Sequence, residues 1–374
     1  MEATAAAPAP STEREVRRLK DLQKRGRHEE ALRGAQQLIA SLPENRDLLL
    51  IAASSLRHLG RLDEALAMLE RLEKHHPRFS LMHQERGLCH VARKDAPQAI
   101  DALLRAVNIN PALPLSWRML EGVYRLTGDT NNAATAAAHV ATLGNLPPDV
   151  VAATSLFSDG DLAPAEKIIR AFLLKHGNHP EAMRLLARIG IARDVLDDAE
   201  LLLEGVLMLA PDHRAARYDY ADVLLKRHKY RQAGEQIGQL LKLKPGNPNY
   251  RTIAASAAVG LGEHGKAIAF YRQMLVDMPG APDVQLWLGH ALKTVGKMPE
   301  AIAAYRGAAS SRPDFGDAYW SLANLKTYRF TDGEIARMRT EEATSTTIAE
   351  DRHHLCFALG KALEDRGETG EAWR

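Results

Sequence analysis

Apolar residues along this chain fall three and four apart. Leu49, Ala52 and Leu56 make one such run, and Leu69 and Leu72 belong to the next. That spacing lines one face of a helix. A glycine such as Gly60, Gly128, Gly160 or Gly296 separates successive runs, so the pattern predicts helix–turn–helix units. Prolines punctuate the pattern at Pro43, Pro77 and Pro111, and again at Pro211, Pro245, Pro279 and Pro313, each step within a group being 34 residues. Alanines keep the same beat at Ala31, Ala65, Ala99 and Ala133, then at Ala165, Ala199, Ala233, Ala267 and Ala301. The one 32-residue step, Ala133 to Ala165, coincides with the stretch NLPPD. Two residue types agreeing on one period and one slip point to a repeat array.

If the proline is position 32 of each unit, the alanine series is position 20. Position 8 is small at Ala53, Gly87, Ala153, Ala187, Ala221, Ala255, Gly289 and Ala323. Small residues at both places let two antiparallel helices approach closely. The proline ends the second helix, which it cannot continue. A 34-residue unit of this kind, as in HLGRLDEALAMLE, TVGKMPEAIAAYR and SDGDLAPAEKIIR, resembles the tetratricopeptide repeat (TPR) family. The resemblance implies an all-α, right-handed α-solenoid of about nine to ten repeats, stacked as one superhelix with no internal domain boundary. Residues 1–11 read as a disordered lead, 12–315 as the array of about nine repeats, and 316–374 as a degenerate repeat followed by a truncated one.

Composition narrows the function classes. Lys and Arg number 49 against 47 Asp and Glu, a balance that argues against broad nucleic-acid binding. The two cysteines, Cys89 and Cys356, are far apart and suggest no disulfide framework, in keeping with a reducing, cytoplasmic setting. No apolar run approaches the roughly 20 residues of a membrane span, and MEATAAAPAPSTE lacks the pattern of a signal peptide.

One segment imitates a nucleotide site. In VGLGEHGKAIAF, Gly260, Gly262 and Gly265 spell G-x-G-x-x-G, and Lys266 follows. A phosphate loop needs a strand before it and Ser or Thr after its lysine; here a helical run precedes and Ala267 follows. Gly262 falls at the turn position shared by Gly60, Gly160 and Gly296, so the expected role is structural. Two His/Cys groups, His83 with Cys89 and His90, and His353 with His354 and Cys356, lack the spacing of a zinc site, so no metal or cofactor is expected in this chain. No catalytic motif stands in a suitable context.

Near the end the period breaks. DFGDAYWSLANLKTYRF reads as a first helix, with Tyr319, Leu322 and Ala323 at positions 4, 7 and 8. Its second helix is replaced by TDGEIARMRTEEATSTTIAEDRHH, where Thr331 or Asp332 could cap a helix starting near Glu334. The repeat returns with Gly360, Leu363, Gly367 and Ala372 at positions 8, 11, 15 and 20, and the sequence stops two residues later. A stop inside a second helix leads us to expect the front part of a longer protein. Residues Asp314 to Trp373, with weaker support from INPALPLSWRML, resemble bacterial TPR-containing sulfotransferases. In that family a TPR arm precedes a catalytic domain that uses phosphoadenosine phosphosulfate. The phosphosulfate-binding loop is not found here, so the resemblance implies a non-catalytic arm and assigns activity to no residue of this chain.

The TPR resemblance implies a ligand groove lined by first-helix positions 2, 5, 9, 12 and 13. Arg118 and Arg125 occupy positions 5 and 12 of one unit, Arg184 and Arg188 positions 5 and 9 of another, and Tyr218 position 5 of the next. Guanidinium forks and a rigid phenol suit a protein or peptide ligand with acidic side chains. Two readings stay open: a peptide-binding arm of a sulfotransferase, and a freestanding assembly scaffold serving secretion or cell-envelope biogenesis.

Overall fold

The computed structural model describes residues 12–325, 327–368 and 370; the expected lead at 1–11, and Ala372 with the end of the last unit, lie outside them. The described residues form 21 α-helices and no strand, an all-α solenoid of helix pairs. They divide into two compact units, Met1–Ile189 and Gly190–Arg374.

The first unit begins with the pairs α1 (Thr12–Lys24) and α2 (His28–Ile39), then α3 (Arg46–His58) and α4 (Leu62–His75). It continues with α5 (Ser80–Ala92) and α6 (Ala96–Ile109), then α7 (Pro114–Leu126) and α8 (Thr130–Gly144). After the NLPPD slip come α9 (Pro148–Ser158), α10 (Leu162–His176) and α11 (Pro180–Ala192), the last of which carries the boundary. The slip has a plain structural form: α9 has 11 residues where the first helices before and after it have 13.

The second unit holds α12 (Leu196–Leu209), α13 (Arg214–Lys226), α14 (Tyr230–Leu243) and α15 (Pro248–Gly260). It goes on through α16 (His264–Asp277), α17 (Pro282–Thr294) and α18 (Met298–Ser311). The last helices among the described residues are α19 (Gly316–Ala323), α20 (Asp332–Ala343) and α21 (Ala349–Glu364).

The position-20 alanines are buried in every unit, from Ala31 to Ala301, and the position-8 alanines are buried with them. Where position 8 is glycine the approach is closer still. A Cβ on Gly289 would lie 2.4 Å from the Tyr305 ring, and one on Gly87 would lie 2.6 Å from Leu103.

Position 4, apolar at Leu49, is polar in several units, and the structure shows why. His83 Nε2 contacts the Pro77 carbonyl at 3.0 Å, Trp117 Nε1 donates to Pro111 at 2.9 Å, and Arg251 Nε donates to Pro245 at 2.7 Å. Arg217 and Gln285 do the same to Pro211 and Pro279. Each donor sits six residues past the proline whose carbonyl it meets, at the end of a helix whose last carbonyls have no partner within the helix.

The turn at position 15 is left-handed throughout. Gly26, Gly60, Gly128, Gly160, Gly262 and Gly296 have φ between 74° and 83°, and Lys94, Asp194 and His228 hold the same place at about 60°. The next residue's N–H closes back onto the helix, as Arg61 N to Leu56 O at 2.9 Å and Glu263 N to Ala258 O at 2.8 Å. That closure satisfies an otherwise unpaired carbonyl and favours glycine at the left-handed residue.

The C-terminal region departs from the pairs. α19 is only eight residues long, shorter than the first helix read from the sequence, and Leu325 and Phe330 then tuck into the core. Thr331 is the residue that caps α20: its Oγ1 accepts from Glu334 N at 3.3 Å, and Glu334 Oε2 accepts from Thr331 N at 2.9 Å. α21 packs on the start of α19, where buried Asp351 accepts from Gly316 N at 3.0 Å. A Cβ on Gly316 would lie 2.1 Å from the Asp351 carbonyl oxygen, so only glycine fits there. Gly367, at φ 78°, closes α21 with the repeat's usual turn.

The left-handed turns make a direct prediction. Lys94→Gly should stabilise the protein by about 1 kcal/mol, because a side chain at this conformation costs that order of energy. Gly60→Ala should destabilise it by a similar amount, and urea denaturation of both variants checks the pair.

Candidate functional site

Two of the three glycines in the glycine-rich segment have structural roles. Gly260 ends α15, and a Cβ there would sit 2.4 Å from the Tyr230 ring. Gly262 is the left-handed turn residue, and Lys266 pairs with Glu263 at 2.8 Å on the surface. A helix precedes the segment, so its amides are not arranged as a phosphate cradle.

The candidate groove residues lie on three helices. Arg118 and Arg125 are exposed on α7, where Arg125 is held by Glu121 at 2.6 Å. Arg184 and Arg188 are half-buried on α11; Arg184 pairs with Glu181 at 3.4 Å, and the Arg188 guanidinium lies 4.6 Å above the Phe157 ring. Tyr218 belongs to the second unit, on α13, with its ring centroid 5.8 Å from that of Tyr250. Burial, then the Asp222 and Asp219 carboxylates, push its phenol above the ordinary value, so its setting is acidic. The structure thus brings together two arginine pairs in the first unit, each next to a glutamate, and leaves Tyr218 in different surroundings.

An aromatic cluster in the second unit has no counterpart in the sequence pattern. Trp320 on α19 and His354 on α21 stack with parallel rings 6.2 Å apart, and Phe357 lies 5.6 Å from Trp320. Phe357 is 64% exposed. Trp320 and Phe357 both stand at position 5 of their units, so a scan of that position for aromatics would have found them. The thirty-seven-residue interval, against a 34-residue period, hides the match.

The two His/Cys groups have ordinary roles. His83 reads the Pro77 carbonyl, and Cys89 is wholly buried, its thiol pushed up to about 12 by burial and then by the Glu85 carboxylate. Cys356 is exposed. Among the described residues no group of His, Cys, Asp or Glu is placed to hold a metal ion, and no helix is long and apolar enough to cross a membrane.

Family models of the tetratricopeptide repeat match residues 16–72 and 54–114, and a second such model matches 191–257. The chain thus carries tetratricopeptide repeats over residues 16–114 and 191–257. Among solved structures it is similar to a tetratricopeptide-repeat protein from Parabacteroides merdae, at 15% identity and a TM-score of 0.42, over 75% of this chain and 99% of that one. It is also similar to MamA from Desulfovibrio magneticus RS-1, at 16% identity and 0.42, over 45% and 97%. The Cut9–Hcn1 assembly of the APC/C matches at 17% and 0.39, over 75% and 56%. Comparison with functionally curated proteins finds no match.

Within the first unit of the TPR array, a polar latch joins residues far apart in sequence. Asp159, in the turn after α9, accepts from Ser80 N at 3.0 Å and from Ser80 Oγ at 2.8 Å, and so caps α5 from outside. Buried Asn110 donates to Ser155 O at 3.0 Å and Ser155 Oγ at 2.9 Å, and its Oδ1 accepts from Ala112 N at 3.0 Å. Arg46, with its guanidinium 4.5 Å above Phe79, donates to Asp161 at 2.8 Å. The latch fixes the α9–α10 turn against the N-terminal ends of α3 and α5.

Removing the Asp159 carboxylate strips partners from buried donors, which costs about 1–3 kcal/mol. Asp159→Ala should therefore lower stability by about 2 kcal/mol in urea denaturation, while Asp101→Ala, at an exposed pair, should change it by less than about 0.5 kcal/mol. Equal effects would mean that the latch does not hold the unit.

Proposed function

We propose that this protein is a protein- or peptide-binding TPR scaffold that serves as the non-catalytic arm of a sulfotransferase. TPR proteins bind protein partners, and the observation that supports this role here is the contrast between two sets of positions. Positions 8 and 20 are small and buried in nearly every unit, whereas positions 5, 9 and 12 vary and reach the surface at Arg118, Arg125 and Phe357. Exposed aromatic and arginine side chains of this kind are the usual anchors of a protein interface. The Trp320–His354–Phe357 cluster lies inside the stretch that resembles the sulfotransferases, which supports the narrower reading.

The ligand favoured by this reading is an extended segment with acidic residues, of the kind that tyrosine-modifying sulfotransferases accept. Exposed charge pairs are worth roughly 0.2–1 kcal/mol each, and Glu121 and Glu181 already compete for two of the arginines, so recruitment should be weak and salt-sensitive. Weak capture raises local concentration without slowing release. The phosphosulfate donor would bind a catalytic domain that this sequence does not contain.

Fluorescence anisotropy with an acidic tyrosine-containing peptide and its neutral counterpart tests the reading. The acidic peptide should bind more tightly, added salt should weaken it, and Arg184→Glu/Arg188→Glu should weaken it about fivefold. Equal binding of both peptides without salt dependence would overturn the acidic-segment reading. A native gene that encodes no phosphosulfate-binding domain beyond Arg374 would overturn the sulfotransferase reading.

A further inference from the structure

A cavity of about 280 Å³ opens in the second unit where α18, α19 and the start of α20 meet. Arg306, Ser310, Tyr319, Gly333, Glu334 and Arg337 line it. The Thr331–Glu334 capping box uses the N–H groups of those two residues and leaves the N–H groups of Asp332 and Gly333 without a hydrogen bond among the described residues. Gly333 lines the cavity and has open space where a side chain would stand.

Three further features give the cavity a sign. Tyr319 is 1% exposed, and its hydroxyl, in the cavity wall, makes no hydrogen bond of normal geometry. The Arg337 guanidinium is close enough to act on that hydroxyl electrostatically and has no carboxylate partner among the described residues. Arg306 adds a second positive charge, paired with Glu334 at 3.1 Å. Glu334 is the one carboxylate in the wall, and its oxygens are already met by Tyr328 Oη at 2.7 Å, Thr331 N at 2.9 Å, Thr331 Oγ1 at 3.0 Å and Arg306. Two guanidiniums, one satisfied carboxylate, free amides at a helix N-terminus and a buried donor without an acceptor make an electropositive pocket of donors.

We propose that this cavity binds a tetrahedral oxyanion of the phosphate type. One oxygen would accept from the Tyr319 hydroxyl, a second from the Gly333 amide, and the remaining charge would face Arg337. A helix N-terminus and a guanidinium fork are the two standard protein partners of a phosphoryl group, and here they converge on one cavity. The bound anion would tie α20 to α19, the place where the regular repeats give way to the irregular C-terminal elements. The proposal is independent of the peptide-binding surface, since it uses none of its residues.

Isothermal titration of the whole chain with inorganic phosphate, and separately with sulfate, in chloride buffer of constant ionic strength tests it. Saturable binding in the millimolar range or tighter is expected. Arg337→Gln should weaken it at least about tenfold, in line with the loss of a charge-assisted hydrogen bond. Gly333→Asp, which sets a carboxylate over the amide at an exposed helix start, should abolish it, and Tyr319→Phe should weaken it severalfold. Arg272→Gln, at a surface pair elsewhere, should leave it unchanged. Phenyl phosphate separates two sources of the same group: affinity equal to inorganic phosphate marks a free-anion site, and tighter binding marks a site for a phosphomonoester. Heat that fails to saturate up to about 50 mM, or binding unchanged in both Arg337→Gln and Gly333→Asp, would overturn the proposal.

Discussion

The fold depends on how closely two helices of a pair can approach. At positions 8 and 20 the side chains are a methyl group or a single hydrogen in most repeats, Leu19 and Glu121 being the exceptions at position 8, and the alanines there are buried. The glycines show how little space remains: an added Cβ would enter the Tyr305 ring at Gly289, the Leu103 side chain at Gly87 and the Asp351 backbone at Gly316. Because protein interiors are packed at crystal density, such contacts cannot be relieved without shifting a helix. Each pair is held at one spacing, and each surface position is held with it.

Two backbone devices make that spacing repeatable. The left-handed residue at position 15 reverses the chain in the fewest residues, and the hydrogen bond behind it closes the first helix. At the other end of the unit, a position-4 donor reaches back to the proline carbonyl. Polar residues at position 4 therefore belong to the architecture and do not signal a ligand. The same logic disposes of the G-x-G-x-x-G segment. Gly260 makes room for Tyr230 and Gly262 makes the turn, so their spacing comes from helix packing.

The period was legible because its causes are local. The position-20 alanines and turn glycines act within one repeat and the terminal prolines between one repeat and the next, and together they mark out the eighteen helices between Thr12 and Ser311. What stayed hidden is non-local or breaks the period. The latch joins Asp161 to Arg46, 115 residues earlier, and Asn110 to Ser155, 45 later, across the slip. Nothing in the pattern of a single unit records such pairings. The Trp320–Phe357 cluster was masked by the irregular segment between its two residues. Of the arginines, the sequence spacing already placed Glu121 four residues before Arg125 and Glu181 three before Arg184, but it did not show the Arg188 guanidinium over the Phe157 ring. The surface that would meet a partner is in this sense less readable than the core that presents it.

Close approach at position 8 is the central claim, and two glycines test it against each other. Gly289 faces the Tyr305 ring, whereas Gly234, inside α14, has nothing within 4 Å of where a Cβ would stand. The decisive measurement is the urea-denaturation stability of Gly289→Ala and Gly234→Ala side by side. Gly289→Ala should lose about 1–3 kcal/mol through overpacking, and Gly234→Ala should gain about 0.5–1 kcal/mol from helix propensity alone. If Gly289→Ala were as stabilising as Gly234→Ala, the helices would not depend on close approach at that position, and the account would be contradicted.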